Sequence, residues 1–155
     1  MSVGVWLRVL AVLAAVAATF SAGAASARAW NDGGDVVLGS TRFYGLPPGN
    51  AVGWGTAHPR RIFNGGDPSG MAWRISWKRW GTYTAIGDGL TWLPAPQGGY
   101  YRTPGRIELR ASRLGHCTPS GPLAYRTLEV RVPSHPGGPL GRWGNWSFTG
   151  TICHS

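Results

Sequence analysis

Glycine and proline interrupt this chain so often that they limit the length of every regular segment it can form. The 155-residue sequence holds 25 Gly and 12 Pro, and proline breaks a helix interior while glycine weakens it. After residue 30 no apolar pattern with helical period continues for a useful length. Short runs of alternating apolar and polar residues remain, and these are typical of strands with one buried face. The 9 Trp oppose a disordered chain.

The clearest strand pattern covers residues 71–79. Its even positions are small, polar or charged, whereas its odd positions are apolar: Met71, Trp73, Ile75 and Trp77. Because successive side chains of a strand point to opposite faces, we predict that Trp73 and Trp77 both face the core. Further along, Asp88 stands between Gly87 and Gly89. This sequence predicts a tight hairpin turn that separates two strands.

Six further segments carry strand patterns, and turn-rich connections separate them. These segments are residues 36–43, 82–86, 90–93, 106–111, 123–132 and 146–153. The sequence therefore predicts an all-β fold, a single small β-sandwich of about seven or eight antiparallel strands. The long connections at 57–70, 94–105 and 133–145 are where we expect a ligand to bind, since binding residues concentrate on loops.

Residues 1–29 have the order of a signal peptide. Arg8 precedes an apolar run at 9–18, and small residues follow as Ala27-Arg28-Ala29. We predict cleavage after Ala29, which leaves residues 30–155 as one secreted domain, released outside the cell or associated with its envelope. A retained anchor is the alternative, but the run is short against the ~20 apolar residues of a membrane span. No transmembrane segment is expected after cleavage.

Cys117 and Cys153 are the two cysteines of the chain. In an exported protein an even number of cysteines favours a disulfide bond over a metal site. Because His116 and His154 stand beside them, a zinc site with two Cys and two His ligands is the alternative. Adjacent residues of an extended chain point to opposite sides, however, and the usual zinc-ligand spacings are missing. We predict a structural disulfide, with no metal and no cofactor.

The sequence favours binding over catalysis. It contains no nucleophile-elbow motif, and Ser69 in Asp67-Pro68-Ser69-Gly70 has the surroundings of a turn residue. Glycoside hydrolysis requires two carboxylates, and the candidates are Asp67, Asp88, Glu108 and Glu129. Glu108 and Glu129, however, alternate with arginines in their strands, so we expect cross-strand ion pairs there. No catalytic residue is predicted, and a small secreted hydrolase is kept as the least favoured alternative.

Arginine and tryptophan suggest the ligand class. The formal net charge is +9, which suits an anionic polymer, whereas export argues against nucleic acid as the partner. Trp54 and Trp143 stand in glycine-containing loops, and Arg142 precedes Trp143. We expect Trp54, Trp143 and Arg142 to bind an anionic or neutral cell-wall polysaccharide. The alternative is that both indoles fold back as lids over the ends of the sandwich.

A longer pattern runs from Ile75 to Leu128. It begins as Ile75-x-Trp77-x-x-Trp80, continues as Ala85-x-Gly87-x-Gly89, and ends with Ile107-Glu-Leu109 and Ala124-Tyr125-Arg126-Thr-Leu128. This pattern resembles an uncharacterised family of small exported actinobacterial proteins. The resemblance implies export and a β fold, but it transfers no functional residue to this chain. The present sequence departs from relatives that carry a further cysteine pair.

The sequence thus predicts a non-catalytic extracellular or envelope β domain that binds wall polysaccharide. A structural or protein-interaction domain is the main alternative. Three features distinguish the classes: exposed loop tryptophans indicate a glycan, an exposed apolar patch indicates a protein partner, and two converging carboxylates indicate a hydrolase.

Overall fold

The structure of the protein, a computed structural model, describes residues 35–41, 52–147 and 149–154. The predicted signal peptide lies outside these residues, as do residues 42 and 43 of the predicted strand at 36–43. The described chain is all-β, as predicted, with one 3₁₀ turn at Pro68–Gly70. Its strands are β1 (Val37–Leu38), β2 (Arg61–Phe63), β3 (Met71–Lys78), β4 (Thr84–Thr91), β5 (Gly105–His116), β6 (Leu123–Arg131) and β7 (Gly144–Asn145).

All seven strands belong to one mixed sheet. The order is β1-β6-β5-β4-β3-β2, and β7 pairs with β6. The pairing of β1 with β6 is parallel, while the other pairs are antiparallel. The expectation of antiparallel strands alone is therefore wrong for β1. Two separate sheets, and hence a sandwich, are not confirmed.

The sheet is curled into a half-barrel, and the segment 52–56 links its edge strands β1 and β2 through backbone hydrogen bonds. Leu38 in β1 donates its N–H to the carbonyl of Thr56 at 3.0 Å and accepts a hydrogen bond from the N–H of Gly55 at 2.7 Å. Gly55 and Thr56 follow Val52, which bridges to Phe63 in β2. The concave side encloses one hydrophobic core that includes residues of β1 through β6. Within residues 35–41, 52–147 and 149–154, no helix has the length and hydropathy needed to span a membrane.

The long strands do not keep a strict two-residue alternation. In β3 the buried residues Ala72 and Ile75 are three positions apart, because the register with β4 shifts between Trp73 and Ser76. Arg74 lies at this bulge with φ 52°. An extra residue in one strand reverses the faces of the residues that follow. Trp77 therefore packs against the core as predicted, but the prediction for Trp73 is wrong, and its indole lies on the outer face.

Strand β4 runs without interruption through Gly87, Asp88 and Gly89, so the predicted hairpin turn at this point is wrong. A Cβ atom on Gly87 would lie 3.0 Å from side-chain atoms of both Ile75 and Trp77. Gly87 and Gly89 face β3, where a larger residue would crowd the core side chains. Asp88 points outwards and pairs with Arg106 at 2.9 Å. The glycines of Gly87-Asp88-Gly89 therefore do not form a turn. They are needed for close packing between β4 and β3.

The residues of the family-like pattern meet inside the core. Ring centroids lie 4.9 Å apart for Trp77 and Trp80, and 5.0 Å apart for Trp80 and Tyr125. The buried Tyr125 hydroxyl donates to the carbonyl of Thr82 at 2.8 Å and accepts from the N–H of Gly81 at 2.9 Å. Burial is the main reason that its pKa is raised. These residues stabilise the fold and the turn between β3 and β4.

The C-terminal segment is not the strand predicted at 146–153. The paired residues are Gly144–Asn145, and the chain then turns, with the N–H of Gly150 donating to Ser147. Ile152 is fully buried in the core. The disulfide between Cys117 and Cys153 is confirmed, with a Cα–Cα distance of 5.1 Å. It fastens the C-terminal segment to the end of β5.

Candidate functional site

A cleft of about 580 Å³ lies at the Gly105 end of β5. We call it the end cleft. It opens where strands end and loops begin, which is the common position of a binding site in a β domain. Its lining comes from the loops after β2, β4 and β6 and from residues near the ends of β4, β5, β6 and β7: Asn64, Gly65, Asp67, Ser69, Gly70, Thr91, Trp92, Leu93, Pro94, Ile107, Val130, Arg131, Val132, Gly141, Arg142, Gly144 and Trp146. The predicted binding loops 57–70 and 133–145 both contribute.

Asp67 forms the acidic side of the end cleft. Its carboxylate caps the 3₁₀ turn, accepting the Ser69 N–H at 2.9 Å and the Ser69 hydroxyl at 2.6 Å. The hydroxyl of Tyr100 donates to the same oxygen. The hydrogen bond from the Ser69 side chain is the largest of the effects that lower the pKa of Asp67. The prediction of a turn at Ser69 is confirmed, and the carboxylate remains an anionic acceptor at neutral pH.

Arg131 and Arg142 form the basic side of the end cleft. Arg142 is exposed and forms no ion pair with any residue that the structure describes. The indole N–H of Trp146 donates to the side-chain oxygen of Asn64 at 2.8 Å. This bond joins residues that are 82 positions apart in the sequence, so it links the two loops that bear the acidic and basic groups.

Trp143 does not line the end cleft. It lies beside the outer face of β5 and β6, where the guanidinium carbons of Arg110 and Arg131 are 4.5 and 4.6 Å from its ring centroid. Both contacts are cation–π interactions. The indole is partly buried rather than fully exposed, since these side chains and the start of β7 hold it against the sheet.

Two ion pairs hold the arginines beneath Trp143. Arg110 makes a two-pronged contact with Glu129, with N–O distances of 2.7 and 2.8 Å, and Arg131 pairs with Glu108. Each pair joins residues that are directly opposite in the register of β5 and β6. The predicted cross-strand ion pairs are therefore confirmed. The hydrogen bond from Arg110 is the main reason that the pKa of Glu129 is lowered.

Trp54 belongs to the core, and the expectation that its loop exposes it is wrong. Only 4% of its surface is accessible, and its indole N–H donates to the carbonyl of Phe63 at 3.1 Å. Its ring centroid lies 6.3 Å from that of Trp146. The indole thus folds back into the interior, as the lid alternative stated, because the curled sheet brings the segment before β2 over the core.

The opposite end of the sheet contains the disulfide. A smaller cavity of about 330 Å³ is lined there by residues that include Ser40, Cys117 and His154. The ring Nδ1 of His116 lies 2.7 Å from the carbonyl oxygen of Gly121, and burial lowers the pKa of His154. Because the cysteines are bonded to each other, their thiolates do not form the alternative zinc site. In the described ranges no group of three or more His, Cys, Asp or Glu residues is placed to hold a metal ion.

The end cleft includes residues that the sequence did not single out for binding. From the sequence, Asp67 is a candidate carboxylate without a predicted catalytic role, and Trp92 and Trp146 belong to predicted strands. The signal that was available is the run Asn64-Gly65-Gly66-Asp67-Pro68, which ends one strand and starts a turn rich in polar groups. Comparison of the chain with protein-family models, with curated proteins and with solved structures gave no match.

Proposed function

We propose that this protein is an exported, non-catalytic domain that binds cell-envelope polysaccharide in its end cleft. The observation that carries the proposal is that this cleft combines two partly buried indoles, Trp92 and Trp146, with hydrogen-bonding groups of both charges. Its volume of about 580 Å³ falls within the ~300–1,000 Å³ of small-ligand sites.

The chemistry of the lining suits a sugar. A pyranose ring offers an apolar C–H face to an indole and hydroxyl groups around its edge, and aromatic side chains bind apolar surfaces of this kind. The Asp67 carboxylate accepts hydrogen bonds from hydroxyls, whereas the guanidinium of Arg142 donates to hydroxyl, carboxylate or phosphate oxygens. Both neutral and anionic glycans therefore remain within the proposed ligand class.

Export is part of the proposal. It is supported by the leader-like order of residues 1–29 and by the disulfide, since such bonds persist in oxidising compartments. The resemblance of the Ile75–Leu128 pattern to exported actinobacterial proteins agrees with it. A wall or another part of the cell envelope is where such a protein would meet polysaccharide.

Binding is favoured over hydrolysis by the distribution of carboxylates. Among the described residues that line the end cleft, Asp67 is the single carboxylate, and its lowered pKa suits an acceptor rather than a general acid. Glu108, Glu129 and Asp88 are engaged in ion pairs. Glycosidases that use an acid and a second carboxylate need two such groups facing one bond.

A sedimentation assay on purified insoluble cell wall tests the proposal. Arg142→Ala and Asp67→Asn each remove one polar contact of the end cleft, and Asn retains an oxygen for the turn. Losing one charge-assisted hydrogen bond should weaken retention about fivefold. Arg60→Ala is the matched control, because Arg60 is equally exposed and lies outside the cleft. We expect this control to bind like the unaltered protein.

Salt distinguishes a sugar site from general adsorption of a basic protein. Exposed charges are screened over ~8 Å at physiological ionic strength, whereas stacking on indoles persists. Retention at high salt that still depends on Asp67 supports the cleft. Retention that salt abolishes while both cleft variants behave like Arg60→Ala contradicts it, and absence of retention leaves the structural or protein-interaction alternative.

A further inference from the structure

The convex face of β2, β3 and β4 carries an unusual set of large apolar side chains. Ile62 and Ala72 are fully buried on the concave side, so their neighbours along each strand point outwards. The register places Arg61 opposite Trp73, Trp73 opposite Leu90, and Phe63 opposite Met71. We call the five partly exposed residues of this surface the outer patch: Phe63, Met71, Trp73, Leu90 and Trp92.

The two tryptophans form the centre of the outer patch. The ring centroids of Trp73 and Trp92 are 5.6 Å apart, and their planes make an angle of 43°. Trp92 also lines the end cleft, so the outer patch and the cleft meet at this residue. Trp73 lies in β3 and Trp92 directly follows β4, and both side chains are partly buried. They therefore present ring surface close to the level of the sheet.

Arg61 and Arg74 border this surface. Both are exposed, and in the part of the chain that the structure describes neither takes part in an ion pair. The guanidinium of Arg61 lies over the sulfur of Met71, with an Nη2–Sδ distance of 3.4 Å. Arg74 occupies the β3 bulge with φ 52°, a conformation that favours glycine. The described contacts of Arg74 give no structural reason for an arginine at this position.

Folding alone does not account for the outer patch. Outward positions of a sheet that faces water are normally polar, yet here two indoles, a phenyl ring, Leu90 and Met71 are adjacent. Bulges of this kind commonly redirect a side chain beside a functional surface. Apolar surface bordered by unpaired cations fits a ligand that has flat apolar faces and negative charges in alternation.

We propose that the outer patch is a second binding surface, which takes an acidic polysaccharide. Sugar rings stack on Trp73 and Trp92, and carboxylate or phosphate groups of the polymer bind Arg61 and Arg74. Charge complementarity selects an anionic chain. The half-buried indoles favour a polymer lying along the sheet over a bilayer, since insertion into a bilayer requires side chains that project into it. The disulfide, which belongs to oxidising compartments, disfavours nucleic acid.

Soluble polymers test this surface directly. Affinity of the disulfide-bonded protein for polygalacturonate, an acidic polysaccharide, is measured by tryptophan fluorescence titration, with a neutral soluble glucan as the comparison. Arg61→Ala/Arg74→Ala should weaken binding of polygalacturonate about tenfold. The control is Arg113→Ala/Arg126→Ala. It removes the same charge from exposed strand positions, and Arg113 has a φ of 59°, close to that of Arg74.

A second variant tests stacking. Trp73→Leu keeps an apolar side chain on the outer face but removes the indole, and we expect it to weaken binding at high salt, where charge contributes less. Near-UV circular dichroism of each variant confirms that its fold is retained. If Trp73→Leu disturbs the fold, the arginine pair and its control still decide the question.

The proposal is overturned if the two double variants lose affinity equally, or if polygalacturonate does not bind. It is also overturned if phosphatidylglycerol vesicles or single-stranded DNA bind through Arg61 and Arg74 while the polysaccharide does not. The variants Arg142→Ala and Asp67→Asn separate this surface from the end cleft. If they leave polygalacturonate binding unchanged, the outer patch stands even where the cleft has failed.

Discussion

Arginine and tryptophan occur together on both halves of the outer sheet face, but their surroundings differ. On β5 and β6, Arg110 and Arg131 lie opposite Glu129 and Glu108, and both contact Trp143. On β2 and β3, Arg61 lies opposite Trp73, and no carboxylate pairs with it in the described chain. For these arginines the residue directly across the strand pair differs: it is a glutamate for Arg110 and Arg131 and an indole for Arg61.

The two halves of the sheet therefore use arginine and tryptophan differently. In the β5–β6 half, which we call the paired half, Arg110 and Arg131 are each neutralised by a glutamate, and each guanidinium also contacts Trp143. In the β2–β4 half, which we call the unpaired half after its two arginines, Arg61 and Arg74 form no ion pair with a described residue, whereas Lys78 and Asp88 pair there at 3.4 Å. Substitutions in the paired half should therefore change stability, and substitutions in the unpaired half should change binding.

The largest effect is expected when both ion pairs of the paired half are removed. Glu108→Gln/Glu129→Gln leaves Arg110 and Arg131 without carboxylate partners in partly buried positions. We expect the free energy of unfolding to fall by about 1–2 kcal/mol, measured by urea denaturation of the disulfide-bonded protein. A variant as stable as the original protein would remove the distinction between the two halves.

The next effect concerns the indole that covers the ion pairs. Trp143→Ala removes the cation–π contacts with Arg110 and Arg131, and we expect a loss of about 1 kcal/mol in the same denaturation experiment. Trp143→Phe is the control, because a phenyl ring keeps part of the interaction and should lose less. If Trp143→Ala weakens polysaccharide binding without affecting stability, Trp143 is a ligand contact and not a cover for the paired half.

Acid should weaken the paired half through Glu129. The pKa of Glu129 is lowered in the fold, mainly by the hydrogen bond from Arg110, so its unfolded-state pKa is the higher of the two. Ionised Glu129 therefore stabilises the fold fully when the pH is above its unfolded-state pKa of about 4.3. This stabilisation is lost as the pH falls through the pKa of Glu129 in the folded protein. The stability difference between the original protein and Glu129→Gln should narrow from pH 7 to pH 3. A difference that does not depend on pH contradicts this assignment.

The smallest effect on stability is expected in the unpaired half. Arg61→Ala/Arg74→Ala should change the free energy of unfolding by less than about 0.5 kcal/mol, as is usual for exposed side chains without partners. The same variant should lose polygalacturonate binding. A large destabilisation would show that these arginines serve the fold, and the contrast between the halves would then disappear.

The elements that could be predicted from sequence depend on local patterns. The alternation around Glu108 and Glu129 predicted outward charges, and the two cysteines predicted the disulfide. The face of Trp73 could not be predicted this way, because one bulge residue reverses the alternation. The Gly87-Asp88-Gly89 sequence was misleading, since its glycines serve Ile75 and Trp77 on a neighbouring strand.

The candidate site could be predicted only as a set of loops. Arg142 lies in the end cleft, and the polar segment at 64–70 lies there too. The burial of Trp54 depends on contacts with Phe63 and Trp146, of which the latter is distant in sequence. The outer patch depends on which residues stand opposite each other in β2, β3 and β4. Register is set by how two strands pair, so it cannot be deduced from the sequence of one segment alone.

The disulfide also determines what happens if a protease cuts the chain. Cys117 and Cys153 are 36 positions apart in the sequence, and the ring that they close contains β6, β7 and the loop with Trp143. A single cut anywhere within the ring leaves both pieces covalently joined, so neither piece can diffuse away. A cut in the loop between β6 and β7 therefore converts the protein into a two-chain form whose mass rises only by one water molecule, and the two fragments separate only after reduction.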